Sequence, residues 1–363
     1  MKQVDQAMRV AIEEQIFPGA AIMIATQDQI LFEENYGVSN LHTNQPITKE
    51  TIFDLASLTK PLSTTLSIMV LIKDGLLNLD WPLSDILHES QKTDKKNITC
   101  RQLLCHASGL PAYTPYFESL KQVEKENRQA LHKKLLLKES MGHPPCYSDI
   151  GFMFLEWIIN KMSGQRIDAY IHSKIYQPLG LNNLFYIDLF DPNHQKIDFQ
   201  SMQFAATENC PWRKKVLEGE VHDDNAYSLG GICGHAGLFG TAKDVMSLLI
   251  KILNAYLGNT SHNKYFDDQS LFSLFLTPQK NINKTLGFDI PTYPNSSAGH
   301  YFSKHTVGHL AFTGCSFWID LEKSLIILLL TNRVHPTRKN EKIKQFRPYI
   351  HDMIMKARYI RQL

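Results

Sequence analysis

Ser57 and Lys60 are the two residues whose types and spacing point most clearly to chemistry. They frame the segment Ser57-Leu58-Thr59-Lys60, and residues three apart share one face of a helix. A serine hydroxyl is a weak nucleophile until a neighbour takes its proton, and a lysine whose pKa is lowered can do this. The spacing therefore predicts a nucleophile beside its base. A capping serine followed by a solvated lysine would give the same four letters.

The flanking residues predict a buried helix that begins near this pair. Pro61 follows directly, and an apolar run continues to Ile72 before Asp74-Gly75 ends it. Proline is tolerated in the first helical turn. Ser57 is therefore expected near the positive end of a helix dipole, where negative charge on a reacting oxygen is stabilised.

Two further segments are candidates to complete a site around Ser57. Tyr147-Ser148-Asp149 follows two prolines, which disfavour a helical approach, and precedes an apolar helical pattern. Ser148 or Asp149 could simply cap that helix. His309 precedes a predicted strand, at an edge where an extended substrate could add as a further strand.

Two other polar groups each have two interpretations. His235 lies in a glycine-rich stretch and either contacts the site or is a core histidine bonded to backbone. Arg213 belongs to a segment that forms either a substrate-recognition loop or an ion-pair cluster, together with Glu208, Trp212, Glu220 and Asp223.

No metal or cofactor is expected. The histidines at 300, 305 and 309 suggest zinc, but their spacing fits no common ligand pattern, and no cysteine or acidic residue stands next to them in sequence. The six cysteines contain no C-x-x-C pair. The G-x-S-x-G, H-E-x-x-H, P-loop and G-x-G-x-x-G patterns are also absent from the sequence, which removes the commonest other enzyme classes.

Composition indicates an ordinary globular protein with a small-molecule or peptide partner. The 363 residues are 43% hydrophobic, and 38 basic against 36 acidic side chains leave a net charge of +2. Such a balance creates no field that gathers nucleic acid, so the basic residues near the C-terminus are interpreted as the solvated face of the last helix. The oligomeric state is left open.

The longest apolar run, residues 325–330, is too short to span a membrane and fits a buried strand. The first residues include an acid and no continuous apolar segment, unlike a secretion signal. We therefore expect a cytoplasmic protein, or a periplasmic one whose leader is missing from this chain.

Strand patterns occur at both ends of the chain, with helical patterns between them. The predicted strands cover 20–25, 30–36, 312–320 and 324–332. The predicted helices cover 5–16, 101–104, 118–137, 150–162, 167–176 and 341–361. This order predicts an α/β protein of the α+β type, with an antiparallel sheet flanked by N- and C-terminal helices and an inserted, mainly helical region. We expect a sheet domain from 1–75 and 230–363, a helical domain from 76–229, and the active site at their junction.

Taken in order, the motifs resemble the serine β-lactamase and penicillin-binding-protein superfamily, most closely its class C β-lactamase and family VIII esterase branch. The resemblance spans nearly the whole chain. It is carried by residues 17–19, 53–60, 103–110, 147–149, 177–180, 234–239, 308–309 and 312–314. Residues 206–213 and 219–226 further resemble a subgroup of cell-wall-associated hydrolases.

The resemblance implies a role for each candidate. Ser57 would be the acylated nucleophile and Lys60 its proton acceptor. Tyr147 would pass the proton to the leaving atom and later activate water. The backbone N–H groups of Ser57 and Phe312 would form the oxyanion hole. A tyrosine becomes a base only beside cations that stabilise its phenolate, and Lys60 with His309 could supply them.

Three positions depart from the family pattern and concern substrate binding. Leu310 and Ala311 follow His309, where relatives commonly have threonine or serine and then glycine, so a hydroxyl that helps to hold a substrate carboxylate is lost. The Ala311 methyl also crowds the substrate edge. Asp149 replaces an asparagine whose amide would donate to a substrate carbonyl. These departures predict weak activity on β-lactams.

The function expected from these residues is a serine hydrolase that cleaves amide or ester bonds through an acyl-enzyme. Its expected substrates are related to cell-wall peptides or are small esters. The alternative is a weak penicillin-binding or muropeptide-sensing protein that acylates without efficient turnover.

Overall fold

A six-stranded antiparallel sheet joins the two ends of the chain in the computed structural model, which describes residues 1–120, 124, 126–137, 141–191, 202–280 and 282–359. In spatial order its strands are β3 (Gln45–Pro46), β2 (Ile30–Asn40), β1 (Gly19–Ala25), β11 (Leu325–Thr331), β10 (Ser316–Asp320) and β9 (Thr306–Leu310). The predicted hairpin between β1 and β2 is present, and the apolar run at 325–330 lies in a central strand.

Both faces of this sheet are covered. Every residue of β1 and β11 is buried, which explains why their sequences are continuously apolar instead of alternating. On one face Ile22 and Ile327 pack against α1 (Lys2–Glu13) and α12 (Ile343–Tyr359). The other face packs against α10 (Ala242–Leu257). The predicted arrangement of a sheet flanked by N- and C-terminal helices is confirmed.

The remaining helices lie mostly between these ends of the chain. They are α2 (Leu66–Lys73), α3 (Leu83–Ile86), α4 (Cys100–Leu104), α5 (Phe117–Leu120), α6 (Asn127–Leu137), α7 (Asp149–Ser163), α8 (Ile167–Ile171), α9 (Asp224–Ser228) and α11 (Gln269–Leu276). A second sheet has the order β4 (Ile52–Asp54), β8 (Leu238–Thr241) and β5 (Leu184–Tyr186). A two-stranded ribbon pairs β6 (Asn209–Cys210) with β7 (Lys215–Val216).

Several predicted bounds change. The strand predicted over 312–320 begins only at Ser316, because residues 311–315 form a turn in which Gly314 N–H donates to Ala311 O at 3.1 Å. The helix predicted over 118–137 is two helices; residues 121–123 and 125 of that prediction, and the end of the last helix at 361, lie outside the described residues.

One hydrophobic cluster runs from the sheet into the helical region, where it includes Phe152 and Phe154 of α7. The division into domains at residues 75 and 230 stays a prediction. Among the described residues, no helix is both long and apolar enough to cross a bilayer.

Candidate active site

Ser57 lies just after β4, at the start of a helical segment. Ala56 has a positive φ of 44°, a conformation that costs an L-residue about 1–2 kcal/mol. The buried Asp54 side chain holds this bend, because its Oδ1 accepts the Ala56 N–H at 2.8 Å and its Oδ2 accepts the His222 N–H at 2.6 Å. Strain is thus held directly before the candidate nucleophile.

The helix start is less regular than predicted. A single 3-10 turn covers Ala56–Leu58, a π-helical turn covers Lys60–Thr65, and only then does α2 begin. Pro61 lies within the π-helical turn and has no N–H to donate to a regular α-helix. Such turns are common at functional sites. Ser57 and Lys60 nevertheless lie side by side.

The Lys60 ammonium is surrounded by oxygen atoms. Its Nζ lies 3.2 Å from Ser57 Oγ, 3.0 Å from the His235 carbonyl oxygen and 2.7 Å from Asp149 Oδ1. The Lys60 side chain is fully buried, whereas that of Asp149 is 20% exposed. The Ser57 and His235 contacts are hydrogen bonds, the Asp149 contact is an ion pair, and the Tyr147 hydroxyl also interacts with the ammonium.

The expectation that the pKa of Lys60 is lowered is wrong. Burial alone would lower the pKa, but Asp149 and Tyr147 outweigh it and raise the pKa of Lys60 above its usual value. Lys60 is therefore an ammonium at neutral pH, and it enters the reaction as a cation.

Tyr147 lies at the mouth of the site. The residue is 37% exposed. The centroid of its ring lies 4.6 Å from that of His106 and 4.9 Å from Lys60 Nζ. The hydroxyl interacts with Lys60 and Ser57, yet burial of this hydroxyl, with the Asp149 charge, raises the pKa of Tyr147 to about 12. Tyr147 is thus a phenol at neutral pH and a proton donor.

The capping alternatives beside Tyr147 are resolved. Ser148 is the N-cap of α7, since its Oγ accepts the Gly151 N–H at 3.2 Å. Asp149 occupies the first turn, and its backbone N–H donates to Ala112 O at 2.9 Å. The Asp149 side chain does not cap the helix and instead contacts Lys60.

His309 lies within β9 at the sheet edge, not ahead of the strand as expected. Its Nδ1 lies 2.8 Å from the Leu310 carbonyl oxygen, so Nδ1 carries the proton and Nε2 holds a lone pair. Nε2 has no hydrogen-bond partner among the described residues, and Asp289 Oδ2 lies 4.0 Å away. Burial, with the Lys60 charge, lowers the pKa of His309, so the expected second cation beside Tyr147 is a neutral imidazole at neutral pH.

The edge of β9 is open over only part of its length. Gly308 exchanges both backbone hydrogen bonds with Asp289, at 2.7 and 2.9 Å. Along an edge strand, every second residue directs its backbone N–H and C=O away from the sheet. After Gly308, the next residue to do so is Leu310. The Leu310 side chain packs with the cluster of α1 and α12, and Ala311 is 5% exposed. An extended substrate can therefore pair with the backbone here, while the Leu310 side chain faces away.

The turn after β9 brings a second N–H group towards Ser57. Thr313 Oγ1 donates to Asp54 O at 2.9 Å, which fixes the turn beside the strand that leads to the nucleophile. Arg333 Nε donates to the Phe312 carbonyl at 2.9 Å and orients that residue. The oxyanion hole formed by the Ser57 and Phe312 N–H groups stays a prediction.

His235 contacts the site through its backbone, and its buried ring pairs with a carboxylate, not with backbone as the second interpretation had it. Its carbonyl oxygen accepts from Lys60, while its ring Nε2 lies 2.9 Å from Asp223 Oδ1 in the interior. Although burial opposes it, the Asp223 carboxylate raises the pKa of His235 well above its usual value. The backbone of His235 belongs to the site and its ring forms an ion pair.

Arg213 is engaged within its own segment. Its guanidinium donates to Glu220 Oε1 at 3.0 Å and Asp224 Oδ1 at 2.9 Å, and to three backbone carbonyls at 2.6, 3.0 and 3.4 Å. Its side chain is only 3% exposed. This geometry favours the ion-pair cluster over a substrate-binding role.

The three candidate zinc histidines have separate surroundings. His300 pairs with Asp352 at 2.8 Å, His305 with Glu322 at 3.5 Å, and His309 lies in the site. No group of three or more metal-ligating side chains is found in the part of the chain that the structure describes.

Two residues of the site, His106 and Arg333, had no role predicted from the sequence. The His106 Nδ1 accepts the Ser148 N–H at 3.0 Å, and its ring packs on Tyr147, so it positions the tyrosine. The only signal was its place within the 103–110 motif. The sequence carries no signal for Arg333, because its hydrogen-bond partners are the backbone carbonyls of Phe312, Arg338 and Asn340.

Comparison with known proteins identifies the family of this chain. The Beta-lactamase family model matches residues 4–348. The chain belongs to the beta-lactamase family. The N-acetylmuramyl-L-alanine amidase of Bacillus subtilis (strain 168) is 31% identical, with 92% of this chain and 81% of that protein aligned. A putative D-alanyl-D-alanine carboxypeptidase of Escherichia coli O157:H7 is 30% identical, over 88% of this chain and 79% of that protein.

The fold of this family member also matches that of the octameric penicillin-binding protein homologue from Pyrococcus abyssi. The TM-score is 0.74 at 20% identity, with 98% of this chain and 77% of that chain covered. The chain is a serine hydrolase of the β-lactamase fold, as the ordered motifs predicted.

Proposed function

We propose that this beta-lactamase family member cleaves amide or ester bonds of cell-wall-peptide-related substrates through an acyl-enzyme on Ser57. The observation that carries the proposal is the contact of Ser57 Oγ with the buried Lys60 ammonium at 3.2 Å, beside the Tyr147 hydroxyl. The names of the amidase and carboxypeptidase relatives support the cell-wall substrate class.

The geometry supports a sequence of two acyl transfers. Ser57 Oγ attacks the substrate carbonyl carbon, and the resulting oxyanion is bound by the N–H groups of Ser57 and Phe312. The Tyr147 phenol then donates its proton to the departing nitrogen or oxygen, which leaves the acyl group on Ser57. Water hydrolyses that ester in the second transfer.

One observation favours the slower alternative, a binding or sensing protein. Tyr147 is a phenol and Lys60 an ammonium at neutral pH, so neither is ready to take a proton from the deacylating water. Acylation without efficient turnover is the expected behaviour if no other base serves that water.

Intact-protein mass spectrometry separates these functions. The protein would be mixed with a muropeptide, a β-lactam and a short-chain p-nitrophenyl ester, and adduct mass and released product would be followed together. Product formed over many turnovers supports the hydrolase, and a persistent adduct with one equivalent of product supports the sensor. The absence of adduct and product with every compound would refute both.

A further inference from the structure

When Ser57 Oγ attacks a substrate, its hydroxyl proton must pass to another group. The Lys60 ammonium contacts Ser57 Oγ, the His235 carbonyl and Asp149, and its side chain is fully buried. An ammonium has three donors and no lone pair. Lys60 can therefore take the Ser57 proton only while it gives one of its own to another neighbour.

Of the four oxygen neighbours of Lys60, counting the Tyr147 hydroxyl, only one can take that proton. The His235 oxygen belongs to an amide carbonyl, which is a very weak base, and Ser57 is the group that loses a proton. Asp149 Oδ1, at 2.7 Å, is a carboxylate oxygen with lone pairs. The Tyr147 hydroxyl still holds its own proton.

His309 is the other group near the site with a lone pair. Its Nε2 is buried and faces Asp289 at 4.0 Å, and its ring centroid lies 5.9 Å from that of Tyr147. Among the described contacts His309 has no hydrogen bond to Ser57 or Lys60. Contact geometry thus favours Asp149 as the acceptor.

We propose that Asp149 is the terminal proton acceptor when Ser57 is activated, a role that rests on the proposed function. As the bond between Ser57 Oγ and the carbonyl carbon forms, the carbonyl π electrons move to its oxygen. The hydroxyl proton passes to Lys60 Nζ, and an Nζ proton passes to Asp149 Oδ1. When the intermediate collapses, the oxyanion electrons re-form the carbonyl and the bond from its carbon to the leaving atom breaks. Tyr147 protonates the leaving atom, Lys60 reprotonates Tyr147, and Asp149 returns its proton to Lys60.

The fold holds Asp149 in place for this task. It lies in the first turn of α7, and its backbone N–H donates to Ala112 O. An asparagine could accept the same hydrogen bond from Lys60 through its amide oxygen but could not take the proton. The isosteric change Asp149→Asn therefore keeps the position of the side chain and removes its ability to accept a proton.

The test compares Asp149→Asn and Asp149→Glu in the full chain, with Asp168→Asn as a matched control. Asp168 is also a carboxylate in a first helical turn, but it pairs with Arg166 away from the site. Acylation of Ser57 by a p-nitrophenyl ester is measured by rapid quench and mass spectrometry. We expect Asp149→Asn to lower the acylation rate by roughly 10²–10⁴, as for loss of a general base, with ester binding unchanged. Asp149→Glu should retain more of the rate, and Asp168→Asn all of it.

An Asp149→Asn variant that acylates as fast as the wild type, or faster, would overturn the proposal. If the wild type itself forms no adduct on Ser57, the proposed function fails instead. A second measurement needs no variant: the acylation rate in mixtures of light and heavy water. Two protons moving together predict a curved dependence on the deuterium fraction, and a linear dependence would overturn the relay.

Discussion

Replacing Tyr147 with phenylalanine should separate amide from activated-ester hydrolysis. The pKa of Tyr147, raised to about 12 by burial, keeps its hydroxyl protonated at neutral pH, so its task is to protonate the leaving atom. An amine leaves from the tetrahedral intermediate only when it is protonated, whereas p-nitrophenolate leaves without a proton. The two substrate types therefore depend on this hydroxyl to different extents.

The expected loss of activity in Tyr147→Phe can be estimated because phenylalanine retains the ring and lacks only the hydroxyl. The ring remains on His106 at 4.6 Å and over Lys60 at 4.9 Å, so the cost to folding is that of one hydrogen bond, about 1 kcal/mol. Loss of a general acid lowers amide turnover by roughly 10²–10⁴, or about 3–5 kcal/mol of barrier. For the p-nitrophenyl ester of the same acid, we expect a loss of less than about tenfold.

The assay measures kcat/KM of the wild type and Tyr147→Phe on an amide and a p-nitrophenyl ester with the same acyl group. Tyr36→Phe is the control, because it removes a tyrosine hydroxyl that is hydrogen-bonded to Asp5 at 3.0 Å, far from Ser57 in the fold. Equal losses on both substrates would show that Tyr147 does not act on the leaving group. Unchanged amide turnover would make it a structural residue.

Three further changes test neighbouring parts of the account. Leu310→Thr should leave the ratio of nitrocefin to ester hydrolysis nearly unchanged, because this side chain packs with α1 and α12. Parallel absorbance assays measure the ratio, and a large rise would contradict this placement of the side chain. Arg213→Gln breaks buried ion pairs and should lower the free energy of unfolding, measured by urea titration, by about 3–5 kcal/mol. A raised KM without a loss of stability would instead indicate that Arg213 binds substrate. Glu208→Gln should destabilise the protein by a constant amount above pH 4.5 and by less as the pH falls towards 2. Although burial opposes it, His222 and Arg338 hold the pKa of Glu208 at about 2; a destabilisation that grows towards acid would have the wrong sign.

The sheet, its flanking helices and the Ser57-Lys60 pair could be predicted because each depends on a local pattern. The apolar run at 325–330 sits in a central strand, and the i, i+3 spacing brings Ser57 to Lys60. The strand β9 was missed because it is short and contains Gly308. Its partner β10 begins later than its sequence suggests, since residues 311–315 turn away from the sheet.

The charges of the site could not be predicted, because they depend on contacts between distant segments. The pKa of an isolated buried lysine would fall, but the Asp149 carboxylate lies 2.7 Å from Lys60 and reverses the direction. His309 was expected to be a cation and is instead a buried, neutral ring whose Nδ1 donates to Leu310 O. The sequence left Arg213 open between a substrate-recognition loop and an ion-pair cluster, because no sequence pattern reveals which backbone carbonyls surround a guanidinium.

The most direct test of the account is the site of covalent labelling. The wild type and Ser57→Ala would each be treated with a fluorophosphonate and with a slowly released ester, then analysed by intact-protein mass spectrometry and peptide mapping. The account predicts one adduct on the wild type, located at Ser57, and neither an adduct nor ester turnover with Ser57→Ala. An adduct on another residue, or ester hydrolysis by Ser57→Ala at the wild-type rate, would contradict it.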